Sequence, residues 1–164
     1  MSRQVPPHQD AACWGCGDNA LGLQLPLPER EGIEDYEAFV EFDERHQGGP
    51  GFVHGGMVAA ALDEAAGLLA TWHSFPTVTV RIFVRFRLAV PINTELLLRA
   101  ELESVRGRQV RVRARLTDGT DPLAEARAAF LHVPLEHFLA TPEGRAAADR
   151  WETRLGSRLA DDTT

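Results

Sequence analysis

Between Val80 and Phe130 the chain alternates apolar and polar residues in four successive runs, and no other feature restricts its fold as much. Val80, Ile82, Val84, Phe86 and Leu88 are interleaved with Arg81, Phe83, Arg85 and Arg87. Leu96, Leu98, Ala100 and Leu102 follow, then Val110, Val112, Ala114 and Leu116, then Ala124, Ala126, Ala128 and Phe130, each set interleaved with Arg or Glu. A period of two puts successive side chains on opposite faces of a strand, so each run has one dry face and one wet face. The links, at Pro91-Ile92-Asn93, Arg106-Gly107-Arg108 and Asp118 to Pro122, are too short for the crossover that a parallel return needs. The runs are therefore antiparallel neighbours, and their even-numbered apolar face must be covered. Two earlier runs, Leu21 to Leu27 and Tyr36 to Phe42, alternate in the same way and bring the sheet to about six strands.

The cover is Met57 to Ala70, a run of strong helix formers that is apolar nearly all round and so belongs inside the domain. The fold class is α+β: one long central helix wrapped by an antiparallel sheet. Ala124, Ala126 and Ala128 are small, as positions pressed against a helix must be. Residues 1–19 form an N-terminal loop rich in Cys and Gly, 20–133 the helix-and-sheet domain, and 134–164 a helical appendage. In that appendage Thr141-Pro142-Glu143 starts a helix that runs to about Gly156, with a capping residue and a first-turn proline.

With 164 residues the chain is one domain with a sizeable core. Its 17 basic residues, all Arg, against 24 acidic ones leave a net charge of -7, which argues against nucleic acid as a partner. The absence of Lys excludes Schiff-base chemistry and a lysine-bearing phosphate loop. Neither a signal-peptide core nor an apolar run of bilayer length is found, so the expected location is the cytoplasm, with no membrane partner.

Asp63 lies in the middle of the apolar helix among Ala59, Ala60, Ala66 and Gly67. A carboxylate taken out of water is costly unless it is paired or protonated, and its small neighbours leave room beside it. That combination fits either a catalytic base or nucleophile or an acid paired to a strand arginine. Glu64 is about 100° further round the helix, so the two acids cannot share a site. Gly55-Gly56 opens the helix and leaves N–H groups unobstructed at its positive end, where a carbonyl oxygen could be polarised. Gly56 and Asp63 are about 10 Å apart along one helix. If both act on one substrate, two antiparallel helices across a two-fold axis must bring Gly56 of one copy beside Asp63 of the other.

Gly51-Phe52-Val53-His54-Gly55-Gly56, with Asp63 nine positions after the His in an Ala-rich helix, resembles the hotdog-fold acyl-CoA thioesterases, in particular the phenylacetyl-CoA thioesterase-like branch. Cys13-Trp14-Gly15-Cys16-Gly17-Asp18-Asn19 is similar to the N-terminal signature of one subgroup. The resemblance spans residues 13–133 and makes 20–133 a hotdog thioesterase domain. It implies hydrolysis of an acyl-CoA thioester lying between the subunits of a homodimer, or of a dimer of dimers. Asp63 is then nucleophile or general base, the Gly56 N–H polarises the thioester carbonyl beside Gly55, His54 orders the helix start, and Thr79 holds the acid or the attacking water. Relatives often carry an Asn five or six positions before the His; here those positions are Gly48 and Gly49, which makes His46 or Gln47 the stand-in. No cofactor is implied.

The remaining motifs are weaker. Cys13 and Cys16 form one pair with no second pair, short of the four ligands of a structural zinc site, so a tight Gly-rich turn is the better reading and no metal ligand is assigned. The arginines at 81, 85, 87, 99, 111, 113 and 115 make a solvated sheet face cross-paired with Glu101, Glu103 and Glu125. Arg87, or Arg106 and Arg108 in a turn, are the candidates for coenzyme A phosphates. Two other functions compete: a non-catalytic acyl-CoA-binding module, which has little need of a buried acid, and an enoyl-thioester hydratase or dehydratase, which uses an Asp-His pair not seen here.

Overall fold

The computed structural model describes residues 13–17, 20, 22–28 and 33–147. Five strands, β1 (Asp35–Glu41), β2 (Thr77–Phe86), β3 (Glu95–Arg106), β4 (Gln109–Thr117) and β5 (Pro122–His132), form one sheet in the order β1-β3-β4-β5-β2. Every pairing is antiparallel. The one long helix among the described residues, α1 (Gly55–His73), lies against the sheet and contributes Val58, Ala61, Leu62, Ala65, Ala66, Leu69 and Ala70 to the core. They meet the even-numbered face: Leu96, Leu98 and Ala100 of β3, Val110, Val112, Ala114 and Leu116 of β4, and Ala124, Ala126 and Ala128 of β5. Alanines on both sides of that contact let helix and sheet approach closely.

Two expectations fail for identifiable reasons. The run ending at Leu27 is not a strand: residues 22–28 are irregular, so the sheet has five strands, and Leu21 lies outside the described residues. Pro26 and Pro28 have no N–H for a ladder, and Gln24 takes φ 50°, which breaks the pleat. The amides of this segment go instead to the cysteine loop, Leu23 N–H to Trp14 O and Leu25 N–H to Gly15 O, each at 3.0 Å. Leu25 is nevertheless fully buried, so the segment supplies core without joining the sheet.

The second failure is the apolar face of β2. Val80 and Phe86 are 52% and 53% exposed, and Leu88, beyond the strand end, is 53% exposed. β2 is an edge strand with β5 as its one neighbour, and its register slips between Thr79 and Arg81, so α1 covers only Ile82 and Val84 in part. At the C-terminal side a short 3-10 helix, Leu135–Ala140, is an element the sequence did not suggest. Residues 142–147 are helical, as Thr141-Pro142-Glu143 predicts; the expected continuation to Gly156 lies outside the described residues.

Candidate active site

The chain enters α1 through a turn that explains its glycines. Gly51 takes φ +79°, and its N–H donates to Gln47 Oε1 at 2.8 Å. A Cβ on Gly48 would stand 2.9 Å from His54 Cα, so the loop backbone leaves no room for a side chain there, whereas Gly49 faces open space. Gln47 therefore braces the turn. His46 points inward: it is 5% exposed, packs edge-on against Phe42, and its Nδ1 accepts from the Asp43 N–H at 3.1 Å. It orders the loop from inside, as its carbonyl does by accepting from His54 N–H at 2.8 Å.

His54 is the N-cap of α1, and its Nδ1 accepts from the Gly56 N–H at 2.9 Å. This fixes the histidine's role in ordering the helix start. It also engages the N–H expected to polarise a carbonyl. The adjoining Gly55 N–H makes no hydrogen bond among the described residues, which leaves it open at the helix tip. Gly55 lies against the far end of β2, where a Cβ on it would be 3.6 Å from the Phe86 ring.

Asp63 is half-buried, with the Thr79 hydroxyl donating to its Oδ1 at 3.1 Å and Oδ2 at 3.4 Å. The structure thus brings together the acid and the threonine that the family resemblance pointed to. Burial raises the Asp63 pKa above the ordinary carboxylate range, and the Thr79 hydrogen bond opposes that rise. No ion pair to Asp63 is found among the described residues, so the reading in which a strand arginine neutralises it fails.

Glu64 faces another way, toward the loop of Cys13 and Cys16, and burial pushes its carboxyl up to about 7. This cluster is the part of the molecule that spacing did not reveal, since its members are 51 residues apart in the chain. The one signal was Gly15, a residue able to let a side chain lie on the loop backbone.

The candidate phosphate-binding arginines are dispersed. Arg87 is held by Glu125 at 2.7 Å at the end of the sheet where α1 begins. Arg106 and Arg108 flank Gly107 in the β3–β4 turn at the opposite end, with Arg108 Nε donating to His132 O at 3.1 Å. Arg106 makes no side-chain bond among the described residues. The wet face is cross-paired as expected, through Arg113–Glu103 at 3.0 Å and Arg115–Glu101 at 3.4 Å, with a further pair between Arg99 and Glu37.

Comparison with known proteins points to a family. Residues 50–125 match the model of the thioesterase superfamily. That stretch therefore resembles the thioesterase superfamily, and the chain shares the hotdog fold of a solved member. The chain is 25% identical over 89 residues to acyl-coenzyme A thioesterase THEM4 of Xenopus laevis, a match covering 54% of this chain and 40% of that protein. It therefore spans well under half of the curated relative. A solved thioesterase superfamily protein from Shewanella loihica PV-4 superposes with a TM-score of 0.55 at 26% identity, over 63% of this chain and 87% of the other. A Streptococcus mutans protein whose crystal structure is bound to acetyl CoA shares the fold, with a TM-score of 0.59 at 16% identity over 63% of this chain and 85% of that one. The thioesterase match begins at Pro50 and covers Gly51, the helix start, Asp63 and Thr79. No helix among the described residues is long and apolar enough to cross a membrane.

Proposed function

We propose that this domain hydrolyses acyl-CoA thioesters, with Asp63 as the group that activates water. The observation that carries the reading is a carboxylate without a cationic partner, half-buried in an apolar helix and aimed by one hydroxyl. Asp63 takes a proton from water as the oxygen adds to the thioester carbon. The carbonyl oxygen becomes an oxyanion held by the Gly55 N–H at the positive end of α1. Collapse breaks the carbon–sulfur bond, and the proton on Asp63 passes to the departing coenzyme A thiolate. Thr79 keeps the carboxylate turned to the water, and Arg87 or Arg106 meets the phosphates of coenzyme A.

Gly55 and Asp63 are eight residues apart, about 12 Å along one helix, too far to serve one carbonyl. A second copy, antiparallel across a two-fold axis, supplies the missing partner. The β2 edge supports this: it has an unpaired ladder side and exposes Val80, Phe83 and Phe86 at 52%, 69% and 53%. Release of free thiol from a panel of acyl-CoAs tests the reading. Turnover by the wild type and its loss in Asp63→Asn, with acyl-CoA binding retained, is the expected result. Binding without turnover in the wild type would make the protein a non-catalytic module instead.

A further inference from the structure

Cys13, Cys16 and Glu64 present their donor atoms to one point, although they come from a loop and a helix far apart in sequence. Cys16 Sγ is 3.3 Å from Cys13 Sγ, Cys13 Sγ is 3.9 Å from Glu64 Oε1, and all three atoms lie within 4.8 Å of one another. A tetrahedral ion with sulfur ligands near 2.3 Å and a carboxylate near 2.0 Å has ligand–ligand edges of about 3.5–3.8 Å. The observed separations bracket that range. The cysteines are not joined by a disulfide, and Cys16 is buried.

The surroundings are shaped to keep the three groups together. The loop closes on itself through Gly17 N–H to Cys13 O at 2.9 Å, and Leu23 and Leu25 amides tie its other carbonyls to the following segment. A Cβ on Gly15 would collide with Glu64 Cδ, so only a glycine lets the loop backbone lie this close to the carboxylate. No ion pair neutralises Glu64 among the described residues. A carboxylate beside two thiols, with no ion-pair partner among the described residues, is arranged for a cation.

We propose that Cys13, Cys16 and Glu64 bind one thiophilic divalent metal ion, of the Zn²⁺ class, which clamps the N-terminal loop onto α1 beside the Asp63 face. Two thiolates select a soft or borderline ion over Mg²⁺ or Ca²⁺. On binding, the thiols ionise and release their protons to solvent. Among the described residues three protein ligands are supplied, and the fourth tetrahedral position is open to water. The role assigned is structural, because Glu64 points away from Asp63, and it does not depend on the thioesterase reading.

The test is a Co²⁺ titration of the purified full chain, stripped of metal and kept reduced, followed by absorption spectroscopy. A thiolate-to-cobalt charge-transfer band that saturates at one equivalent, with the visible intensity of tetrahedral cobalt, is expected. The band should vanish in Cys13→Ser and Cys16→Ser. Outer-shell partners alone change metal affinity about 10–100-fold, so the isosteric Glu64→Gln should weaken binding at least about tenfold. Zn²⁺ should raise the wild-type melting temperature and leave Cys16→Ser unmoved. No charge-transfer band in the wild type, or a band undiminished in Cys16→Ser or equally tight in Glu64→Gln, overturns the proposal.

Discussion

Asp63 is a single carboxyl on which activity and stability make opposite demands. Burial raises its pKa above that of the same group in the unfolded chain. Between the ordinary carboxylate range and the raised value, the folded state binds more protons than the unfolded state, so stability falls as pH rises through that window and stays lower above it. The proposed general base must be ionised to act, so under that proposal the rate should fall as pH drops through the raised value. Asp63→Asn is expected to lower kcat by about 10²–10⁴-fold, the usual range for a lost general base. It should also melt higher than the wild type at neutral pH, with the difference shrinking below the carboxylate range; an equal difference at both ends would mean Asp63 is not held up by burial. Thr79→Val removes the bond that opposes the rise and should move the acid limb of the pH–rate profile upward, with Thr79→Ser restoring it. Asp63 was legible because a buried acid in a helix stands out; Thr79 came from the family resemblance, since the following strand also offers Thr77. The engagement of Gly56 by His54 was not legible, because spacing says nothing about which N–H a side chain will cap. Nor was the meeting of Glu64 with the cysteines, which depends on how a loop folds back over the helix.

The elements divide along a similar line. α1 and the four runs from β2 to β5 follow from period and short links alone, since a period of two with one apolar face has few other solutions. The segment before them shows where period misleads: Leu23, Leu25 and Leu27 alternate, yet Pro26 and Pro28 deny the ladder its donors. Burial and strand membership separate here, which gives a prediction. Leu25 is fully buried, so Leu25→Ala should destabilise the protein by about 2–5 kcal/mol, as a core leucine does, although it lies in no strand. Chemical denaturation measures this, and a cost below about 1 kcal/mol would mean the segment is loosely attached. The start of α1 is fixed by one side-chain bond, so His54→Ala should cost about 0.5–2 kcal/mol and His54→Asn, which can still cap, less. The exposed face of β2 needed knowledge that sequence lacks: which strand would end at the edge of the sheet.

For the whole molecule, the separation of Gly55 from Asp63 makes a claim about assembly that two inactive variants can decide. Gly55 is the first residue of α1, where proline is tolerated because no helical partner awaits its N–H, and His54 already has the extended conformation that a following proline requires. Gly55→Pro therefore removes the proposed oxyanion donor while leaving the helix able to form. Asp63→Asn removes the base. Each variant alone has both its sites impaired. When the two chains are unfolded together and refolded in equal amounts, half the dimers are mixed, and in each mixed dimer one site receives Asp63 from one chain and the Gly55 N–H from the other. That site is complete, so thiol release should recover to about one quarter of the wild-type rate. If instead each chain built its own site, every site in the mixture would lack one group and no activity would return. Sedimentation of the mixture, run beside the assay, establishes that the chains have reassociated, so recovery or its absence reports on where the two halves of the site reside.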